Sequence, residues 1–273
     1  MNLLHAVVLG VLQGFTEVLP ISSSAHLILV PWLCNWPESG LTFDVALHLG
    51  TFIALAVYFR RDIIEMAVST IDALAHRSLN TAAHRLPFLI IASAVPAAVV
   101  GKLFEHQVEE LFRSKPLLIG VFLILFGLVL GVADLIGRKR RLLDEVTPPN
   151  ALTIGLFQCL ALIPGVSRSG ITITAGLMLG FTRESAARFS FLMSLPIVAG
   201  AALLKMLHLL KQGIPAGEGL PMLIGIVASA ITGYISVAFL LRYVQKRSIA
   251  PFVWYRFVAG GAVVTAILLG FKG

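Results

Sequence analysis

Six stretches of this sequence, at about 42–59, 87–103, 117–136, 186–204, 221–241 and 251–271, are apolar for close to the length that crosses a bilayer as a helix. Such a span needs about 20 apolar residues at 1.5 Å rise. Two more segments, 3–34 and 151–180, are equally apolar but are cut in the middle, one by Pro20 and the other by Pro164 and Gly165. Hydrocarbon offers no water to a free backbone group, and proline both removes a donor and stops a helix. Each broken segment therefore reads as two half-helices that enter and return, a re-entrant hairpin. With 58% of residues hydrophobic and 13% charged, the chain reads as an all-α polytopic membrane protein with six full spans and two re-entrant hairpins.

The net charge of +7 invites a nucleic-acid reading. The basic residues, however, are scattered or stand at the ends of apolar runs, and no basic stripe with interleaved aromatics exists. Nucleic acid is excluded as a partner, and membrane lipids take its place. MNLLHAVVLG lacks the basic leader of a cleaved signal peptide, so the first apolar segment is expected to stay in the mature protein. Cys34 and Cys159 have no metal-ligand spacing and read as small packing residues.

The two broken segments resemble each other. GVLQGFTEVLPISSSAH, from Gly10, aligns with GLFQCLALIPGVSRSG, from Gly155, pairing Gln13 with Gln158, Pro20 with Pro164 and Ser23 with Ser167. The parallel continues in TFDVALHLGTF against TRESAARFSF, in LPFLI against LPMLI, and in Pro116 against Pro251. The sequence thus reads as one membrane domain, 1–273, holding a first repeat, 1–136, and a second, 151–273. Three full spans per half is an odd number, so the second repeat is expected upside down. Charge agrees: the connections 60–86, 137–150 and 242–250 carry eleven Lys and Arg, against five in 104–116, 205–220 and the tail after 271. The positive-inside rule then puts Arg138 to Arg141 in the cytoplasm and both termini outside. The GxxxG pairs Gly127/Gly131 and Gly176/Gly180 fit close helix contacts inside the protein and leave a homodimer open.

The chemistry gathers at the breaks. After Pro20 a helix can restart, capped by Ser22, Ser23 or Ser24, where free backbone N–H groups and the helix dipole favour an anion. The device recurs after Pro164, where Ser167 and Ser169 flank Arg168 and Gly170 permits close backbone approach. Two such tips meeting near the bilayer midplane would make a site for an anionic group. An arginine in a membrane segment is costly and normally has an anionic partner, and its planar fork suits phosphate. Ser23 and His26 lie three apart, on one face of the restarted helix, so the imidazole can serve as base to the hydroxyl. Glu17, one turn before the break, offers a hard oxygen ligand for a divalent cation or a base for water. His48, Arg188 and Arg256 are expected to stand behind this centre, while His5, His76, His84, His106 and His208 fall near helix ends.

QGFTEVLPISSSAH, FDVALHLGT, PGVSRSGITI, RFSFLMSLP and PFVWYRF together resemble the bacterial undecaprenyl-diphosphate phosphatase family of the bacitracin-resistance (BacA or UppP) type, over essentially the whole chain. The resemblance implies a multi-pass protein of the bacterial inner membrane that hydrolyses a prenyl diphosphate lipid, the C55 carrier of cell-wall synthesis, to its monophosphate. It implies a site open to the periplasmic side and help from Mg²⁺ or Ca²⁺. By motif position it implies Glu17 as metal or catalytic acid, Ser23 and His26 as nucleophile and acid/base, and Arg168 with Ser167 and Thr172 as the diphosphate cradle. Gln13 stands where some members carry a second acid, which leaves Glu17 as the main candidate ligand. The competing reading is an inverted-repeat transporter or lipid flippase for an anionic prenyl phosphate, since midplane hairpins also suit transport.

Overall fold

The computed structural model describes residues 2–37, 40–212 and 217–271, without the side chains of 41, 105, 106, 109, 113 and 201–212. Those of His106 and His208 are therefore outside the described residues. Helices dominate the fold, and no strand occurs among the described residues; an isolated bridge joins Arg141 to Phe181.

The first broken segment forms α1, Leu3–Val18, and α2, Ser23–Cys34. Next come α3, Gly40–Tyr58, α4, Arg60–Ala75, α5, Ala82–Arg113, and α6, Pro116–Ile136. The second broken segment forms α7, Pro148–Gln158, a 3₁₀ turn at Cys159–Leu162, and α8, Arg168–Met178. The chain closes with α9, Arg183–Gln212, α10, Gly219–Lys246, and α11, Ala250–Leu268. Local sequence explains several starts. Asn2 accepts the Leu4 N–H at 3.0 Å, Thr81 accepts that of His84 at 3.2 Å, and Pro116 opens α6 where a donor would be idle in any case.

Among the described residues, four helices are long and apolar enough to cross a membrane: Ala82–Phe104 within α5, then α6, α10 and α11. A fifth is added if Thr42–Tyr58 and Arg60–Ala75 count as one bent unit. The six expected runs all fall on helices, but the count of full spans is coarser than the sequence suggested. α9 carries Arg183, Glu184 and Arg188 near its start, and part of it lies outside the described side chains. The connection at 60–86 is also corrected. Residues 60–75 form α4, bent 72° from the helix before it; the four- and three-residue spacing of Ile64, Val68 and Ile71 among Arg61, Glu65 and Asp72 makes an amphipathic helix rather than a loop.

α1 packs on α10, and α7 packs on α5; α3 meets α9, and α6 meets α11. Small residues allow the closest of these contacts. A Cβ on Gly10 would stand 2.6 Å from the Gly225 carbonyl on α10, and one on Gly260 the same distance from the Gly120 carbonyl on α6. Gly127 and Gly131 likewise face Arg256 and Val253 within the protein, and Gly176 faces Ala186. The largest buried cluster, with Phe59, Phe189 and Phe191, lies among α3, α9, α10 and the inner ends of both broken segments. Ile91, Val95 and Val99 on α5, and Val227 and Ile231 on α10, are exposed on outward faces, as expected where lipid is the solvent.

Candidate active site

The two breaks are built alike. α1 ends at Val18 with Leu19 extended, and α2 starts at Ser23 after Ser22 at φ 77°. The second segment ends its 3₁₀ turn with Ile163 extended, passes Gly165 at φ 100°, and starts α8 after Ser167 at φ 73°. A serine at positive φ costs of order 1–3 kcal/mol, so glycine would be the default residue here. The hydroxyls explain the choice. Ser22 Oγ accepts the Gly165 N–H at 3.1 Å and lies 3.3 Å from Ser24 Oγ; Ser167 Oγ accepts the Gly170 N–H at 3.1 Å and lies 3.3 Å from Ser169 Oγ. The geometry thus matches Ser22 with Ser167, one residue off the sequence pairing of Ser23 with Ser167. By the same offset, Ser23 corresponds to Arg168.

The tips touch directly and are clamped by a third element. Ser169 Oγ donates to the Leu19 carbonyl at 3.2 Å. Arg256, on α11 and fully buried, sends Nη1 to the carbonyls of Pro20 at 3.2 Å and Val166 at 3.1 Å, and Nη2 to that of Gly165 at 2.6 Å. Its Nε reaches the Leu123 carbonyl at 3.1 Å. A buried guanidinium needs acceptors, and these carbonyls give each of its three nitrogens at least one without a carboxylate. Gly170 is pressed against this clamp: a Cβ there would stand 3.1 Å from Ser167 Cβ and 3.2 Å from Arg256 Nη1. Its missing side chain makes room for this packing within the tip.

Glu17 is the meeting point. Its Oε1 accepts Arg168 Nη2 at 2.6 Å across the two tips, and its Oε2 accepts the Ser23 hydroxyl and, at 3.2 Å, Gln13 Nε2. His48 Nε2 on α3 stands 3.5 Å from the same oxygen while His48 Nδ1 lies 2.8 Å from the Asp44 carbonyl. The equivalent positions Ser23 and Arg168 therefore address the two oxygens of one carboxylate. Two buried atoms here lack partners, Arg168 Nη1 and Gln13 Oε1; both amide atoms of Gln158 do as well. An open guanidinium nitrogen beside a neutralised carboxylate suits an anionic oxygen.

Other expectations come out differently. His26 does not reach Ser23: its Nδ1 lies 2.7 Å from the Ser22 carbonyl and its Nε2 2.6 Å from the Tyr255 hydroxyl. Arg188 leaves the centre, pairing with Asp62 and lying 5.8 Å over the Phe59 ring. Thr172 Oγ1 donates to the Arg168 carbonyl at 2.7 Å and lies 2.7 Å from Ser190 Oγ, so it braces the backbone of Arg168. Tyr255 and Ser190 carried no signal of their own in the sequence; adjacency to Arg256 in PFVWYRF was the only pointer to Tyr255. As a resident set, these side chains do not fit a divalent cation. Glu17 is already paired, Gln13 adds one unpartnered oxygen near it, and no three His, Cys, Asp or Glu among the described residues are grouped to hold a metal.

Residues 6–262 match the family model described as bacitracin resistance protein BacA. The chain belongs to the BacA family. A BacA-family relative from Pelobacter propionicus is 81% identical over 273 residues, covering 100% of both chains. Relatives from Geobacter metallireducens, 62% identical over 98% of this chain and 99% of its own, and Moorella thermoacetica, 51% identical over 98% and 99%, accompany it. All three BacA-family proteins are named undecaprenyl-diphosphatase.

Proposed function

We propose that this chain hydrolyses undecaprenyl diphosphate to undecaprenyl phosphate and inorganic phosphate, so returning the lipid carrier to cell-wall synthesis and protecting against bacitracin. The observation that carries the reading is the Glu17 carboxylate held between Ser23 and Arg168, one residue from each tip. Ser23 Oγ attacks the terminal phosphorus while Glu17 takes its proton. The bond from phosphorus to the bridging oxygen breaks, and prenyl phosphate departs. Water then cleaves the phosphoserine. Arg168 Nη1 and the N–H groups opening α2 and α8 bind the phosphoryl oxygens, and this electrostatic stabilisation supplies most of the acceleration. Glu17 replaces His26 as the base for Ser23, because the hydroxyl lies on the carboxylate. Ser24, Ser167 and Ser169 shape the tips, and Gln13 orients Glu17. Mg²⁺ or Ca²⁺ would arrive as counter-ion of the diphosphate.

The same reading places the protein in the bacterial inner membrane as six spans and two re-entrant hairpins in inverted repeat, with the site open to the periplasm. The reciprocal packing of α1 on α10 and α7 on α5, the matched Ser22 and Ser167 caps and the alternating loop charge support it. The prenyl tail remains among membrane lipids. Nothing favours the transporter alternative, and both GxxxG pairs are used at least in part inside the protein, so no dimer seam is assigned. The test is phosphate release from a polyprenyl diphosphate by the purified protein, with Ser23→Ala and Arg168→Ala beside it. Full activity in both variants would remove the assignment. Trapping of phosphate on Ser23 under slowed turnover separates serine attack from direct attack by water.

A further inference from the structure

Tyr255 stands one residue before the clamp arginine on α11, yet its side chain takes no part in holding the tips. Its hydroxyl is 2.6 Å from His26 Nε2, and the two rings stack with centroids 5.6 Å apart and planes 20° from parallel. On the far edge of the imidazole, Nδ1 lies 2.7 Å from the Ser22 carbonyl. A carbonyl only accepts, so Nδ1 carries the proton; in the neutral ring Nε2 is then a bare acceptor, and the phenol is the donor facing it. Burial falls along this chain of bonds, from Ser22 at 1% exposed through His26 at 6% to Tyr255 at 42%. The basic nitrogen therefore points toward Tyr255, the more exposed end of this chain of bonds, while the Ser23 hydroxyl is committed to Glu17.

We propose that Tyr255 is a positioning residue that fixes His26 as the Nδ1–H tautomer and aims Nε2 at the more exposed end of this chain of bonds, where it can exchange a proton with an incoming water or a departing oxygen. Ser22 supplies the second anchor through its backbone, in the conformation forced by its positive φ. His26 is thereby assigned to the group that arrives after Ser23 has acted rather than to Ser23 itself. The inference rests on the phosphatase reading for its kinetic arm alone; its spectroscopic arm stands without it.

The experiment uses the full chain in lipid nanodiscs, labelled with ¹⁵N-histidine, as wild type, as Tyr255→Phe and as His26→Gln to assign the resonances. Phenylalanine keeps the stacked ring and removes only the hydroxyl. The wild type should give His26 as a single neutral tautomer protonated at Nδ1, and Tyr255→Phe should give a mixture. On a polyprenyl diphosphate, Tyr255→Phe should lower kcat about tenfold with KM within about twofold. A wild-type ring protonated at Nε2 would overturn the proposal, as would a tautomer unchanged in Tyr255→Phe or a loss confined to KM. Absence of phosphate release from the wild type would instead strike the phosphatase reading, leaving the tautomer result to stand or fall by itself.

Discussion

The two tips share a backbone and divide a chemistry. Both pass through an extended residue, a turn and a serine at positive φ, and both place a pair of serine hydroxyls 3.3 Å apart. At matched positions one tip then has Ser23 and the other Arg168; where the first has Glu17, the same offset falls on Leu162 in the second. The difference teaches that the scaffold is a way of holding two helix N-termini together, and that the first tip supplies the acid and the hydroxyl while the second supplies the cation.

The comparison can be broken most severely where both tips depend on one residue. Arg256→Met should strip partners from four buried carbonyls at once and destabilise the protein by about 3–5 kcal/mol, read as a fall in thermal midpoint in detergent. Arg168→Ala acts on one tip only. It should lower phosphate release by about 10²–10³, and Arg168→Lys should recover part of the charge but not the fork, as steady-state rates would register. Ser23→Ala and Ser24→Ala compare neighbours on the same tip. The first should reduce kcat by at least about 10², while the second should leave it within about threefold, because the Ser24 hydroxyl lies 3.3 Å from Ser22 Oγ and it is Ser23 that donates to Glu17. Gly10→Ala and Gly155→Ala probe the matched packing of α1 and α7. Each pushes a methyl into a facing carbonyl, of Gly225 and Ser93 respectively, and each should cost about 1–3 kcal/mol in thermal unfolding. The smallest effect is expected of Ser167→Gly, where relief of backbone strain offsets a lost cap and the midpoint should correspond to a change within about 1 kcal/mol.

Much of this was legible because the signals are local. Pro20 and Pro164 interrupt apolar runs, serines follow both, and Glu17 and Arg168 stand out as charges where lipid would refuse them. What the sequence hid depends on tertiary closure. The register that pairs Ser22 with Ser167 is set by backbone angles that residue identity does not reveal, since serine was as acceptable at 23 as at 22. The partner of His26 lies 229 residues away on α11, and nothing near His26 foretells it. Arg188 looked free to join the centre because its acceptor, Asp62, sits on an amphipathic helix that the charge pattern disguised as a loop.

The Arg256 clamp has a consequence for how such a protein can diverge. Because a single side chain from a third helix grips main-chain oxygens on both half-loops, part of what holds the framework does not depend on which side groups those loops display. Substitution could accumulate at 17, 23 and 168 while the architecture stayed pinned, and a once-symmetric pair of loops was thereby left at liberty to become unlike partners.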